Sequence, residues 1–539
     1  MFNKIFFNIL LGLTVYTLVK YIFFTDYSGV YVRSTSGTIR GQTIRVLNKT
    51  VYQFLGIPYA EPPIGELRFA RPVPIKIPRG DIIDGTQLPA SCIQERHPFV
   101  PELNYTSEDC LYLNIFTPTV DYTRAATKHP VMFWIHGGGH SVGSSDMYNG
   151  TALATEDVVV VTINYRLGKL GFMYSDDKSA PGNQGLYDQL MALKWVHKNI
   201  QYFGGDPNQI TLFGESAGSW SISAHILSPL SKGLFKRAIM QSGAHMYNKD
   251  RDVSTREEAL VDNKLMARKL NCTTNNWVQC LRKVGDANEF LPFVTFGYLT
   301  YPTLDTEFLP TSAQKAFLDN TYNSDIDIMA GVNAKEGSLI KYLYWPLDED
   351  IDVDIFKHFV KKVDKMFHNL DEQIVADYYL KGVDINNSQS LKWAFYEFYG
   401  DVSLKCPTYL FAKHMATRKP VDNSNVYFYE LRYQLSSFAQ QFGCDEQTMG
   451  ICHAMELPFV WGKPIVSPDN SDTDTDIEFT KYTMKLWTNF AKYGKPDNHW
   501  PKFLSNSKTK VKNLSPNNLQ QILDNPYYES CDVFWKNYY

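Results

Sequence analysis

Short apolar runs recur along the chain, and stretches with helical spacing separate them. Val131-Met132-Phe133-Trp134-Ile135, Val158-Val159-Val160-Val161-Thr162-Ile163, Ile210-Thr211-Leu212-Phe213, Ile326 to Val332 and Val426-Tyr427-Phe428-Tyr429 each predict a buried strand. Leu186, Leu190, Leu193 and Ile200 recur at helical spacing, and Phe479, Tyr482, Leu486 and Phe490 form one face of a late helix. Strand and helix signals that alternate in this way predict an α/β protein, a sheet with helices on both faces. At 539 residues a simple length count gives about three or four domains. No short-period repeat and no long linker divides the chain, however. Ser467 to Asp476 reads as a polar, acidic surface loop.

The strand signal at Ile210–Phe213 runs into Gly214-Glu215-Ser216-Ala217-Gly218, and a helix-compatible stretch follows. G-x-S-x-G between a strand and a helix puts the serine on a strained bend with its hydroxyl pushed out of the sheet. Gly214 and Gly218 lack Cβ atoms, which lets strand and helix pass close to the bend. The pentapeptide alone is equally compatible with a Gly-rich structural turn. A serine hydroxyl is a weak nucleophile at neutral pH, so it needs a base, a group that orients the base, and donors for an oxyanion. His136-Gly137-Gly138-Gly139-His140 directly follows the strand Val131–Ile135, and its glycines let backbone N–H groups turn toward one point. A phosphate loop, the competing use of such glycines, needs a lysine at a set spacing, and none stands there. Gly138, Gly139 and, just after the serine, Ala217 are the expected oxyanion donors. Twelve histidines are present, of which His136 and His140 flank this loop and compete as the base.

With these motifs the chain resembles the type-B carboxylesterase and cholinesterase family of α/β-hydrolases. Ser107-Glu108-Asp109-Cys110-Leu111-Tyr112-Leu113-Asn114 resembles the family's E-D-C-L-x-L-N signature, and Phe54 to Pro63 its N-terminal signature. Asn164-Tyr165-Arg166, the stretch Pro181 to Phe203 and Phe203-Gly204-Gly205-Asp206-Pro207 fit as well. The resemblance implies one catalytic domain over residues 28–535 with a large, mostly parallel sheet, so that Gly138 and His453 belong to one body. It also implies the chain order nucleophile, acid, histidine, which His136 and His140 break because both precede Ser216. The acid is then Glu336, in Asn333-Ala334-Lys335-Glu336-Gly337-Ser338, and the base His453, in an H-x-x-E-[IL]-P segment that continues to Phe459. Lys335 departs from the aspartate common before the acid. The implied reaction is hydrolysis of a carboxylic ester through an acyl-enzyme on Ser216, with no cofactor and no metal.

The compartment has its own signals. Residues 5–24 are mostly apolar, interrupted by Asn8 and Lys20, so residues 1–24 read as a signal peptide or a signal anchor. Either delivers the body to the secretory lumen, secreted or held by the N-terminal segment at a membrane. Sequons at Asn48, Asn104, Asn149, Asn271 and Asn386 agree, while the one at Asn513 precedes proline. Eight cysteines suit an oxidising compartment. Spacing suggests Cys92–Cys110 and Cys272–Cys280, which match the family's two short loops, and the resemblance to cholinesterases implies Cys406–Cys531. Cys444 and Cys452 either bridge each other before His453 or remain two free thiols. A net charge of −4 gives no sign of a nucleic-acid partner.

For the substrate, the segment Ile93 to Asp109 is informative. Cholinesterases place a tryptophan there for the choline cation, and this segment has only Phe99 and Tyr105 as aromatics. Juvenile-hormone esterases typically carry glutamine where Glu215 stands. His140, after the triple glycine, suggests a polar pocket beside the oxyanion donors. The expectation is a small-molecule, uncharged and moderately apolar carboxylic ester, with choline-ester and juvenile-hormone-ester hydrolysis as alternatives. Neuroligin-like adhesion relatives form a second class; they usually lack the serine and carry a C-terminal membrane span, and this chain keeps all three residues of the triad.

Overall fold

The computed structural model describes residues 29–76, 78, 81–96, 105–120, 128–251, 253–293, 299–343, 349–417 and 425–539. The apolar segment over residues 1–24 and the sequon at Asn104 lie outside the described residues.

Among the described residues the apolar runs build one sheet of 14 strands. Its first part is antiparallel: Val30–Ser34, Gly37–Val46 and Lys49–Pro58 form a meander that pairs with Tyr112–Thr117. Tyr112–Thr117 runs antiparallel to Val159–Ile163. From there the strands are parallel, in the order Val159–Ile163, His129–Ile135, Gly205–Glu215, Arg237–Gln241, Asp327–Asn333, Val426–Leu431 and Lys508–Leu514. Val159–Ile163, Arg237–Gln241 and Val426–Leu431 are buried at every residue, as strands covered on both faces must be. That is why Val159–Ile163 and Val426–Tyr429 read as continuous apolar runs and not as alternating ones.

Register decides where chemistry collects. Gly214 lies level with Ile135, Glu215 with Gln241, and Asn333 with Leu431. The segments that follow these strands therefore gather outside one edge of the sheet, at its carboxyl ends, where open α/β sheets hold their ligands. Helices cover the sheet. Gln184–Asn199 buries Leu186, Leu190 and Leu193, and its Asp188 carboxylate takes a bidentate pair from Arg166 at 2.7 Å for each nitrogen. The late helix runs over Asp474–Tyr493 and buries Phe479, Leu486, Trp487 and Phe490, with Tyr482 half-buried. Its start differs from the acidic loop expected over Ser467–Asp476. Thr473 caps the helix and Asp476 returns the bond to the Thr473 backbone, so the last three residues of that segment form the first helical turn.

Candidate active site

The Gly205–Glu215 strand ends at Ser216, whose φ of 56° and ψ of −122° place a non-glycine residue in a costly backbone region. The bend is held from both sides: the Ser216 N–H donates to the Gln241 carbonyl at 2.8 Å, and the Ser216 carbonyl accepts from Trp220 N–H at 2.9 Å. A Cβ on Gly218 would stand 2.0 Å from the Ile135 carbonyl oxygen, and one on Gly214 2.6 Å from it. The two glycines of the pentapeptide are thus required by the neighbouring strand end. The helix Ala217–Leu227 begins immediately after the bend and adds its N-terminal partial charge at the serine.

The triple-glycine loop lies against the same bend. Gly137, Gly138, Gly139 and Ser216 line one cavity of about 470 Å³. Gly138 and Gly139 have φ of +96° and +63°, and the Gly138 carbonyl accepts from the N–H groups of Ser141 and Val142 at 3.0 Å. This turn commits the Gly138 carbonyl and leaves the N–H groups of Gly138 and Gly139 with no acceptor among the described residues. The N–H of Ala217, at the first position of its helix, has none either.

The acid and the histidine come from distant segments. Glu336 is fully buried; its Oε1 accepts from Asn333 N–H at 2.6 Å and its Oε2 sits 2.6 Å from His453 Nδ1. The other ring nitrogen, Nε2, is buried 2.9 Å from Glu215 Oε1, off line for a hydrogen bond, and has no other partner among the described residues, and His453 lines the same cavity as Ser216. Ser216 and His453 therefore line one cavity with no direct hydrogen bond between the hydroxyl and Nε2. Burial alone pulls the His453 pKa down, but the carboxylates of Glu215 and Glu336 outweigh it and hold the imidazole well above its usual range.

A third carboxyl, Glu456, is fully buried behind the histidine. It accepts from Gln241 Nε2 at 2.9 Å and from Asn333 Nδ2 at 2.8 Å. Burial, then the charges of Glu215 and Glu336, push it up to about 7 against those two amides. Gln241 thereby joins this carboxyl to the serine bend. Sequence reasoning gives Glu456 no role, although its place three residues after His453 puts it on the same turn.

The rival histidines point elsewhere. His136 Nδ1 lies 2.9 Å from the Gly137 carbonyl and its ring stacks on Tyr165. His140 Nδ1 meets the Thr300 carbonyl at 3.0 Å, Nε2 meets Ser221 Oγ at 2.9 Å, and the ring stacks on Phe172. Burial holds both near pKa 4. The polar pocket expected from His140 is thus corrected: its polar atoms are spent inward, and Leu299, Leu339, Leu343, Phe438, Phe442 and Trp461 contribute to the cavity wall. Asn149 stands exposed at that wall; Asn48, Asn271 and Asn386 are exposed on the surface, and Asn513 is buried in its strand.

All eight cysteines are bonded: Cys92–Cys110, Cys272–Cys280, Cys406–Cys531 and Cys444–Cys452. The last resolves the choice between a bridge and free thiols, and Cys452 forms part of the cavity wall beside His453. No helix among the described residues is long and apolar enough to cross a membrane.

Comparison with known proteins bears on the whole chain. The model of the carboxylesterase family matches residues 28–534. Acetylcholinesterase-1 of Trittame loki is 33% identical, over 96% of this chain and 95% of that protein. A cholinesterase of Mus musculus is 35% identical over 94% and 86%, and a cocaine esterase of Oryctolagus cuniculus 34% identical over 90% and 92%. Relatives that agree along nearly the full length, on a mostly parallel sheet whose carboxyl edge carries a serine bend, have one meaning: the chain belongs to the carboxylesterase family, with the α/β-hydrolase fold, and is a serine hydrolase of carboxylic esters.

Proposed function

We propose that Ser216 is the nucleophile, His453 the general base and Glu336 the group that orients it, with the N–H groups of Gly138, Gly139 and Ala217 receiving the oxyanion. The observation that carries this is the 2.6 Å contact of His453 Nδ1 with Glu336 Oε2, with His453 and Ser216 lining one cavity. As the ester enters, His453 Nε2 takes the hydroxyl proton and Ser216 Oγ attacks the carbonyl carbon. Glu336 keeps the proton on Nδ1 and stabilises the imidazolium. The tetrahedral oxyanion is held by the three N–H groups, each worth about 3 kcal/mol in comparable sites. His453 then protonates the departing alcohol, and a water molecule repeats the cycle on the acyl-enzyme. The test is an organophosphonate probe on the purified enzyme: labelling lost in Ser216→Ala and His453→Ala supports the assignment, and labelling that survives in Ser216→Ala defeats it.

The substrate we infer is an uncharged, moderately apolar ester, supported by the leucine and phenylalanine side chains of the wall. A choline ester is the second reading. It is favoured by the Glu215 carboxylate and the Tyr148 and Trp461 rings in the same cavity, and by the names of two of the relatives. A panel that pairs butyryl and acetyl esters with neutral and with choline alcohols separates the two by kcat/KM. Export through the secretory pathway is supported by the four disulfides and the exposed sequons. Sedimentation of expressed enzyme with membranes, against recovery from the medium, distinguishes an anchor from a cleaved signal, and a mass loss on enzymatic deglycosylation reports the sequons.

A further inference from the structure

Lys335 stands where the resemblance expects an aspartate, and it ties three pieces of the site together. Its N–H donates to the Ile451 carbonyl at 3.0 Å, which binds the acid turn to the loop that carries His453. Its carbonyl accepts from Ser338 Oγ at 2.8 Å, closing the turn around Glu336. Its side chain runs over Gly450, where an added Cβ would lie 2.4 Å from Lys335 Cγ, and its ammonium pairs with Glu397 and sits 5.2 Å from the Trp393 ring.

Glu397 is itself anchored. Lys405 Nζ lies 3.1 Å from it and 3.2 Å from Asp401, and Asp401 accepts from Tyr379 OH at 2.8 Å. Glu397, Asp401 and Lys405 face one way because the helix Ser388–Gly400 continues through a wider turn over Asp401–Lys405. Burial pushes the Glu397 carboxyl up, but Lys405 and Lys335 outweigh it and hold it at about 2. The same helix also presses on the next residue of the acid turn: a Cβ on Gly337 would stand 1.7 Å from the Tyr396 carbonyl oxygen. This helix is therefore the bed on which Glu336 is laid.

We propose that Lys335 is a positioning residue for the ester hydrolysis: through Glu397 it fixes the acid turn on the helix, and through Ile451 it fixes the distance between Glu336 and His453. It acts by placement, since no atom of its ammonium touches the imidazole or the Glu336 carboxylate. The inference rests on the proposed roles of Glu336 and His453. The lysine side chain and its carboxylate partner are each about one-third exposed, 33% and 32%, on the floor of an open cavity lined also by Gly450 and Ile451, so dissolved salt reaches the pair.

The test uses the full-length enzyme and the variants Lys335→Met, Lys335→Arg and Glu397→Gln. K335M is expected to lose about tenfold to a hundredfold in kcat, the size of a roughly 1 Å misplacement, with KM within about twofold. K335R restores most of the loss, and E397Q reproduces it without multiplying it in the double variant. Wild-type kcat falls as NaCl rises from about 0.05 to about 1 M, while K335M stays level. A K335M enzyme with wild-type kcat overturns the proposal, as does K335R no better than K335M, or losses that multiply. Should K335M not fold, E397Q and the wild-type salt series decide between the two outcomes. Activity retained in His453→Ala defeats the underlying triad; an inactive His453→Ala beside an unimpaired K335M defeats this inference alone.

Discussion

The two halves of the site are built by different means. The half around the proposed nucleophile is backbone: a strained φ at Ser216, two glycines, Gly138 and Gly139, at positive φ with N–H groups that meet no acceptor among the described residues, and two more that let a helix touch a strand end. The proposed acid–base half is side chain: Glu336 and His453 lie 117 residues apart and meet where Lys335 N–H bonds the Ile451 carbonyl and Asn333 Nδ2 the Cys452 carbonyl, while a disulfide closes the loop before the histidine. The first half tolerates almost no change of shape and needs no partner in charge. The second is fitted as closely, a Cβ on Gly337 standing 1.7 Å from the Tyr396 carbonyl oxygen, and it depends besides on buried carboxylates and the groups that hold them.

That contrast predicts unlike failures. Glu336→Gln keeps the volume of the side chain but no longer stabilises an imidazolium or selects its tautomer. The expected loss is about 10⁴-fold in kcat, with the fold and the cavity unchanged. A loss of less than about tenfold would place the orienting charge elsewhere, on Glu215 for example. In the backbone half, Gly138→Ala brings a Cβ to 2.2 Å from the Val142 carbonyl oxygen at a φ of +96°, so the loop must turn its donors away. The expected effect is about 10²- to 10³-fold in kcat, together with a lowered melting temperature. Glu336→Gln should leave melting nearly untouched; if both variants melt alike, the division into a backbone half and a side-chain half fails.

The halves also differ in what the sequence makes legible. Ser216 and Gly137–Gly139 sit in short contiguous patterns whose geometry follows from local sterics, so the bend and the loop can be read residue by residue. Glu336 and His453 stand in segments whose local sterics say nothing of their roles; they emerge from chain order and family resemblance. Glu456 stands in a recognised segment and Lys335 is a visible departure, but the sequence shows neither's partners: Gln241 and Asn333 at two strand ends bind Glu456, and a helix more than 50 residues away supplies Glu397 to Lys335. The direction of His140 was misread for the same reason: its partners, Thr300 and Ser221, come from remote segments. Five of the parallel strands, in contrast, are legible as apolar runs, whereas Arg237–Gln241 and Lys508–Leu514 carry polar residues and are not.

Disulfides sharpen the comparison further. Cys406–Cys531 spans 125 residues and Cys444–Cys452 spans 8. In a chain-entropy account the long closure contributes about 5 kcal/mol and the short one about 2.5 kcal/mol at most. Replacing both members of the long pair by serine should therefore lower the melting temperature more. Replacing Cys444 and Cys452 by serine should instead lower kcat by a few-fold, because the bridge ends at the residue before His453. Calorimetry and steady-state kinetics on the two double variants decide it, and equal kcat values would leave the short bridge with no part in holding the histidine.

The smallest effect probes charge alone. In the proposed mechanism His453 must be neutral to accept the serine proton, so activity is expected to fall as pH falls through its pKa. Burial lowers that pKa while Glu215 and Glu336 raise it, and the carboxylates prevail. Glu215→Gln removes one of the two raising charges without touching the bond between Glu336 and Nδ1. The acid limb of kcat/KM should then move to lower pH, with kcat on the plateau changed little. Glu456 is pushed up to about 7 by burial and then by Glu215 and Glu336, and neutralising Glu215 lowers it as well, so both groups move in one direction. A limb that stays in place or moves upward would mean that the Glu215 carboxylate does not govern His453, and that the 2.9 Å approach of its oxygen to Nε2 is not kept in the working enzyme.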